Sequence, residues 1–173
     1  MGPEILDRPG KMMQRISAAV LAFILLAGCA SVISENVLRE ADQSVSFRDV
    51  LRDPERYRGR IVVLGGSIIK SIPKKNETWI EVLQQPLGGR LKPKNTDISE
   101  GRFIIKYRNY LDPGVYRQGR RITAAGEVAG REVLPLGEMQ YSYPVLINRE
   151  THLWEEEPAY SSPQFMFGIG IGI

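Results

Sequence analysis

Ile61-Val62-Val63-Leu64-Gly65-Gly66-Ser67-Ile68-Ile69 is the stretch on which the fold turns. It is apolar, rich in β-branched residues and too short for a buried helix of ordinary length, so it reads as a strand. The glycine pair in its middle predicts a bulge or a sharp bend. Period-2 patterning continues downstream. Thr78, Ile80 and Val82 share one face of the next run. Phe103, Ile105 and Tyr107 then oppose Arg102, Lys106 and Arg108. Ile122, Ala124, Gly126 and Val128 follow, and after a turn expected at Gly130 comes a short return strand, Glu132 to Leu136. Tyr141, Tyr143, Val145 and Ile147 alternate last. Residues 84–101, with their glycines, prolines and lysines, read as a long loop. Upstream, Ser46 is a plausible N-cap for a short helix whose Phe47, Val50 and Leu51 fall on one face, ended by Asp53-Pro54. Five or six short strands with glycines inside them predict a mainly β fold: a small antiparallel, OB-like β-barrel with a short N-terminal helix.

The N-terminal segment belongs to a different process. Lys11-Met12-Met13-Gln14-Arg15 is basic, Ile16 to Leu26 is apolar apart from Ser17, and Leu26-Ala27-Gly28-Cys29 closes the run. Basic, then apolar, then small is the layout of a secretory signal peptide. The apolar stretch is about a dozen residues, short of the roughly 20 that a spanning helix needs. Cys29 is the only cysteine and stands where a bacterial lipoprotein carries its lipid. The expected division is a cleaved lipoprotein signal peptide over 1–28, a lipidated tether over 29–44, a barrel domain over 45–157 and an apolar, Gly-rich tail over 158–173. Translation from Met1, Met12 or Met13 gives the same mature chain. Ser31, two positions after Cys29, is not the Asp that retains lipoproteins in the inner membrane of enteric-type bacteria, which points to the outer membrane.

Charge and chemistry narrow the function. Cleavage after Gly28 leaves 145 residues with 20 basic and 18 acidic side chains. That balance is too mild for a nucleic-acid partner, and 145 residues suffice for a core that needs no disulfide. Arg52, Arg56, Arg58 and Arg60 crowd one segment, Lys70, Lys74 and Lys75 a second, and Arg90, Lys92 and Lys94 a third. These clusters either meet anionic headgroups or are solvated turns interleaved with acids.

Leu111-Asp112-Pro113-Gly114-Val115-Tyr116-Arg117-Gln118-Gly119-Arg120 runs on through Ile122 to Gly130, and then come Gly137-Glu138-Met139-Gln140-Tyr141-Ser142-Tyr143-Pro144 and Leu153-Trp154. With the Cys29 motif, this combination resembles the Slp family of starvation-inducible outer-membrane lipoproteins of Gram-negative bacteria, over about Val45 to Trp154. The resemblance implies a globular lipoprotein on the periplasmic face of the outer membrane, linked to stationary phase or stress. It brings no catalytic residues.

The residues themselves agree with a non-enzymatic reading. His152 is the single histidine, with no Gly-x-Ser-x-Gly elbow, and only Glu155, Glu156 and Glu157 are near it in sequence. No cofactor and no metal site are expected. Tyr141, Tyr143 and Trp154 are either core residues or the aromatic lining of a ligand surface on the barrel. Three functions stay open. The first is an envelope lipoprotein acting through binding or structural contacts in stress adaptation. The second is a module that captures an oligosaccharide, a peptidoglycan fragment or a peptide. The third is a hydrolase built around His152. Expected partners are the membrane, through the anchor, and an envelope protein or glycan. The tail, with Phe165, Phe167, Ile169, Ile171 and Ile173 in alternation, is either a partner-binding element or a plain Gly-rich end.

Overall fold

The computed structural model describes residues 31–156; the signal segment, Cys29 and the tail lie outside them. Five strands close into one barrel in the order β1-β2-β3-β5-β4. They are β1 (Ile61–Pro73), β2 (Thr78–Gln84), β3 (Arg102–Tyr107), β4 (Arg121–Leu136) and β5 (Met139–Leu153). Neighbours pair antiparallel except β3 and β5, which run parallel through Ile104↔Val145 to Lys106↔Ile147. A closed five-stranded barrel of this kind is OB-like.

The apolar sets predicted for the first four strands meet in the barrel, but on β5 it is Leu146 that points in, and the alternating Tyr143 and Val145 face the other way. Val62, Leu64, Ile68, Ile80, Val82, Phe103, Ile105, Ile122, Ala124 and Leu146 form one buried cluster. Each of these side chains larger than Ala124 contributes about 1.5–3 kcal/mol on full burial. The two ends of β3 mark the two ends of the core. At one, Phe103 meets Phe47 at a ring separation of 5.8 Å; at the other, Tyr107 meets Tyr116 at 6.2 Å. Phe47 and Val50 belong to helix α2 (Phe47–Arg52), which follows α1 (Glu35–Glu40). The Ser46 N-cap is real: its hydroxyl accepts from the Asp49 amide, and the Asp49 carboxylate accepts from the Ser46 amide, a reciprocal capping box. Tyr116 is held by a turn in which Asp112 accepts from the amides of Gly114, Val115 and Tyr116.

Three local expectations are corrected. β4 does not turn at Gly130. It runs through to Leu136, and the chain reverses at Gly137-Glu138, with Leu136 opposite Met139. Gly137 takes the positive φ of +63° that the first position of a glycine-led two-residue hairpin needs. Gly130 instead sits at a register slip with φ +98°, beside Arg58, which donates to the Ala129 carbonyl. The bulge in β1 falls between Ile68 and Lys70 rather than at Gly65-Gly66. The glycine pair serves close approach: a Cβ on Gly66 would lie 1.9 Å from the Leu83 carbonyl oxygen. The strands are also longer than predicted, because β4 and β5 continue past the barrel as one hairpin arm.

Of the segment expected to be a tether, residues 31–44 are described, and from Ile33 onward they lie on the barrel. Ile33 is fully buried. The Ser34 amide and hydroxyl donate to the Glu150 carboxylate at 3.0 and 2.7 Å, and Ala41 bridges to Ile61.

Candidate functional site

An OB-like barrel offers ligands the outer face of its second and third strands. Alternation sends Ile80 and Val82 inward, so Trp79 and Glu81 of β2 point out, and with them Arg102, Ile104 and Lys106 of β3. Here that face is covered. Trp79, Ile104, Tyr143 and Val145 form a second buried apolar cluster, with Ile72, Leu134 and Tyr141 packed on it. Tyr143 is 2% exposed and Trp79 8%. The cover comes from the β4–β5 arm, which carries Leu134, Tyr141 and Tyr143 across the strands. The rings of Tyr141 and Tyr143 meet edge-on, centroids 4.6 Å apart.

Polar groups seal the same face. Glu81 is buried, and its carboxylate takes Arg102 at 2.8 Å, Lys70 at 3.2 Å and the Tyr143 hydroxyl at 3.3 Å. Burial, reinforced by the Glu81 charge, pushes the Tyr143 hydroxyl above its ordinary pKa. The hydrogen bond that Arg102 donates to the Glu81 carboxylate holds the guanidinium still more firmly protonated. The Tyr141 hydroxyl accepts from the Arg102 amide at 3.0 Å. The Trp79 indole donates to Glu77 at 2.8 Å, and its ring lies 3.1 Å from the Lys74 ammonium and 3.9 Å from that of Lys106. Lys106 also pairs with Glu132 on the arm at 2.8 Å. The face therefore already holds what a bound ligand would provide: an apolar body, paired charges and stacked cations.

Trp154 does not join the two tyrosines. It lies over the outer side of β4, where its indole donates to Thr123 at 2.9 Å and Thr123 donates to the Leu91 carbonyl at 2.7 Å. Lys92 stands 5.3 Å from its ring. His152 presses edge-on against Trp154, centroids 4.5 Å apart, and its ring makes no hydrogen bond among the described residues. The same residues hold no cluster of three potential metal ligands. The sequence reading passed over Trp79, Glu81 and Ile104. Their signal was available: Trp79 and Ile104 are large apolar residues on faces that alternation assigns to solvent.

The basic clusters separate as well. Arg52, Arg58, Arg60 and Lys70 each pair with an acid, and Lys74 stacks on Trp79. Of the third cluster, Arg90 lines a groove of about 410 Å³ that runs between α1 and the loop after β2, whereas Lys92 stands over Trp154. Ser31, Leu38, Val45, Val63, Leu87 and Leu91 are among its walls.

The fold and its closed outer face define a class: a small OB-like barrel that has no open ligand groove on its β2–β3 face. The sequence profile of the outer membrane lipoprotein Slp family matches residues 26–169, and the chain belongs to that family. It is an outer-membrane lipoprotein. The match takes in Cys29 and runs past Trp154 into the apolar tail. An uncharacterised protein of Haemophilus influenzae is 29% identical over 139 residues, 80% of this chain and 75% of its own length. Outer membrane protein Slp of Escherichia coli is 26% identical over 150 residues, 86% of this chain and 79% of its own.

Proposed function

We propose that the protein is a non-enzymatic component of the envelope, acylated on Cys29 and facing the periplasm, that serves stress adaptation through contacts of its outer surfaces. The observation that carries this reading is the filled β2–β3 face. With Tyr143 at 2% exposure and Glu81 satisfied by three partners, the usual OB ligand surface is spent on the protein's own stability. The capture of a glycan or peptide by stacking on Tyr143 finds no support in that burial. The hydrolase alternative lacks a nucleophile and an orienting partner at His152. Acyl chains on one cysteine supply about 0.8 kcal/mol per buried methylene, and more than one chain is needed for stable anchoring.

The test is genetic complementation. A strain lacking the gene is starved and its envelope permeability is measured. Wild-type protein is expected to restore the barrier, whereas Cys29→Ser, folded but not acylated, is expected not to. Full restoration by a soluble Cys29→Ser protein would overturn the reading.

A further inference from the structure

We infer that the groove between α1 and the loop after β2 is the face that rests on the lipid surface of the outer membrane. The inference builds on acylation at Cys29 and adds an orientation to it. The first argument is the length of the leash. Ser31 lines the groove, and Cys29 is two residues earlier, at most about 7 Å of extended chain. The chain has no slack beyond that, since Ile33 is fully buried and Ser34 is bonded to Glu150. A barrel held so closely must turn the surroundings of Ser31 to the bilayer. The tip of the β4–β5 arm is remote from this point. Ala41 bridges to Ile61, which pairs with Glu127, and from Glu127 to Gly137 β4 spans about 33 Å of strand length.

The second argument is chemical. The groove walls carry Leu38, Val45, Val63, Leu87 and Leu91, an apolar set beside a leash that ends in acyl chains. Arg90 is another wall residue, and Lys94 lies against Gly88 of the same loop. Neither cation has an ion pair among the described residues, in contrast to Arg52, Arg58, Arg60 and Lys70. The one acid in the walls, Asp42, is paired with Arg60 at 3.3 Å, so apolar walls with Arg90 and Lys94 at the edge fit the boundary between acyl chains and anionic headgroups. The loop is also set in place. Arg90 and Leu91 both adopt left-handed backbone, with φ of 55° and 61°, and the Leu91 carbonyl is held by Thr123.

Because Cys29 is the only cysteine, a second one reports position without ambiguity. Gln43→Cys, at the groove, and Met139→Cys, on the arm, would each be made in the full acylated protein and labelled with an environment-sensitive fluorophore. Both would be placed in vesicles of phosphatidylethanolamine and phosphatidylglycerol. The label at position 43 is expected to be quenched by headgroup-nitroxide lipid and to lose quenching by aqueous iodide, with the reverse at position 139. Arg90→Glu with Lys94→Glu should weaken the lipid quenching at position 43. Equal iodide access at both positions, in protein whose mass shows an acylated Cys29, would overturn the orientation and leave the anchor standing. Shielding of position 43 that rises with protein density and ignores nitroxide lipid would mean a second copy covers the groove, which also overturns it. An unacylated Cys29 would overturn both readings.

Discussion

Tyr143→Ala separates a self-filled face from a ligand-binding one. If the ring were a stacking platform, its removal would abolish affinity and spare the fold. The structure predicts the opposite. The side chain is 2% exposed and packs with Trp79, Ile104 and Val145, and truncating a buried aromatic costs about 3–5 kcal/mol. The edge-on contact with Tyr141 accounts for about 1 kcal/mol within that sum. Set against a typical domain stability of about 5–15 kcal/mol, the loss is large. For a domain of this size it lowers Tm by roughly 10–15 °C. Tyr143→Phe keeps the ring and removes only the 3.3 Å bond to Glu81, for about 1 kcal/mol. The assay is urea unfolding in a Cys29→Ser background, followed by tryptophan fluorescence, since Trp79 is in the same cluster. A Tyr143→Ala loss below about 1 kcal/mol would refute the packing account, because no closed aromatic cluster loses so little on truncation.

The remaining predictions test other parts of the fold. Gly66→Ala is expected to prevent folding or lower Tm sharply, since its Cβ would sit 1.9 Å from the Leu83 carbonyl oxygen, whereas Gly89→Ala, with nothing within 4 Å, should melt like the wild type. Arg102→Met leaves buried Glu81 with Lys70 and the Tyr143 hydroxyl but without its closest cation, and should cost about 3 kcal/mol in urea unfolding, part of which Arg102→Met combined with Glu81→Leu recovers. The Ser46 hydroxyl and amide hold the Asp49 carboxyl below its ordinary 3.8. The cap's contribution is therefore full above that value and disappears as pH falls through the lower folded pKa. An acid melting series should show Asp49→Asn lacking this loss, and a parallel decline in both proteins would contradict it.

The barrel was legible because Phe103, Ile105 and Tyr107 oppose charged neighbours at period 2, and α2 because Ser46 precedes an i, i+3, i+4 apolar set. The hairpin was misplaced for a local reason. Gly130 and Gly137 both take positive φ, but only pairing decides which one reverses the chain and which one absorbs a bulge. The outer cluster was hidden by the assumption of a single buried face. β2 is covered on both sides, so Trp79 and Glu81 look misplaced until the β4–β5 arm is drawn over them. Tyr143 and Trp154 read from sequence as aromatics of one surface, yet Tyr143 on β5 and Trp154 just past its end lie on different sides of the barrel. The docking of residues 33–42 was unreadable for a similar reason: it depends on Ile33 and Ser34 meeting partners as far along the chain as Glu150.

The account depends most on the sulfur of Cys29. Intact-mass and N-terminal peptide spectrometry of protein extracted from native outer membranes tests it directly. The expected result is a chain beginning at Cys29 that carries the mass of an acylated glyceryl group. A chain that keeps residues 1–28, or one with an unmodified thiol at position 29, would contradict it.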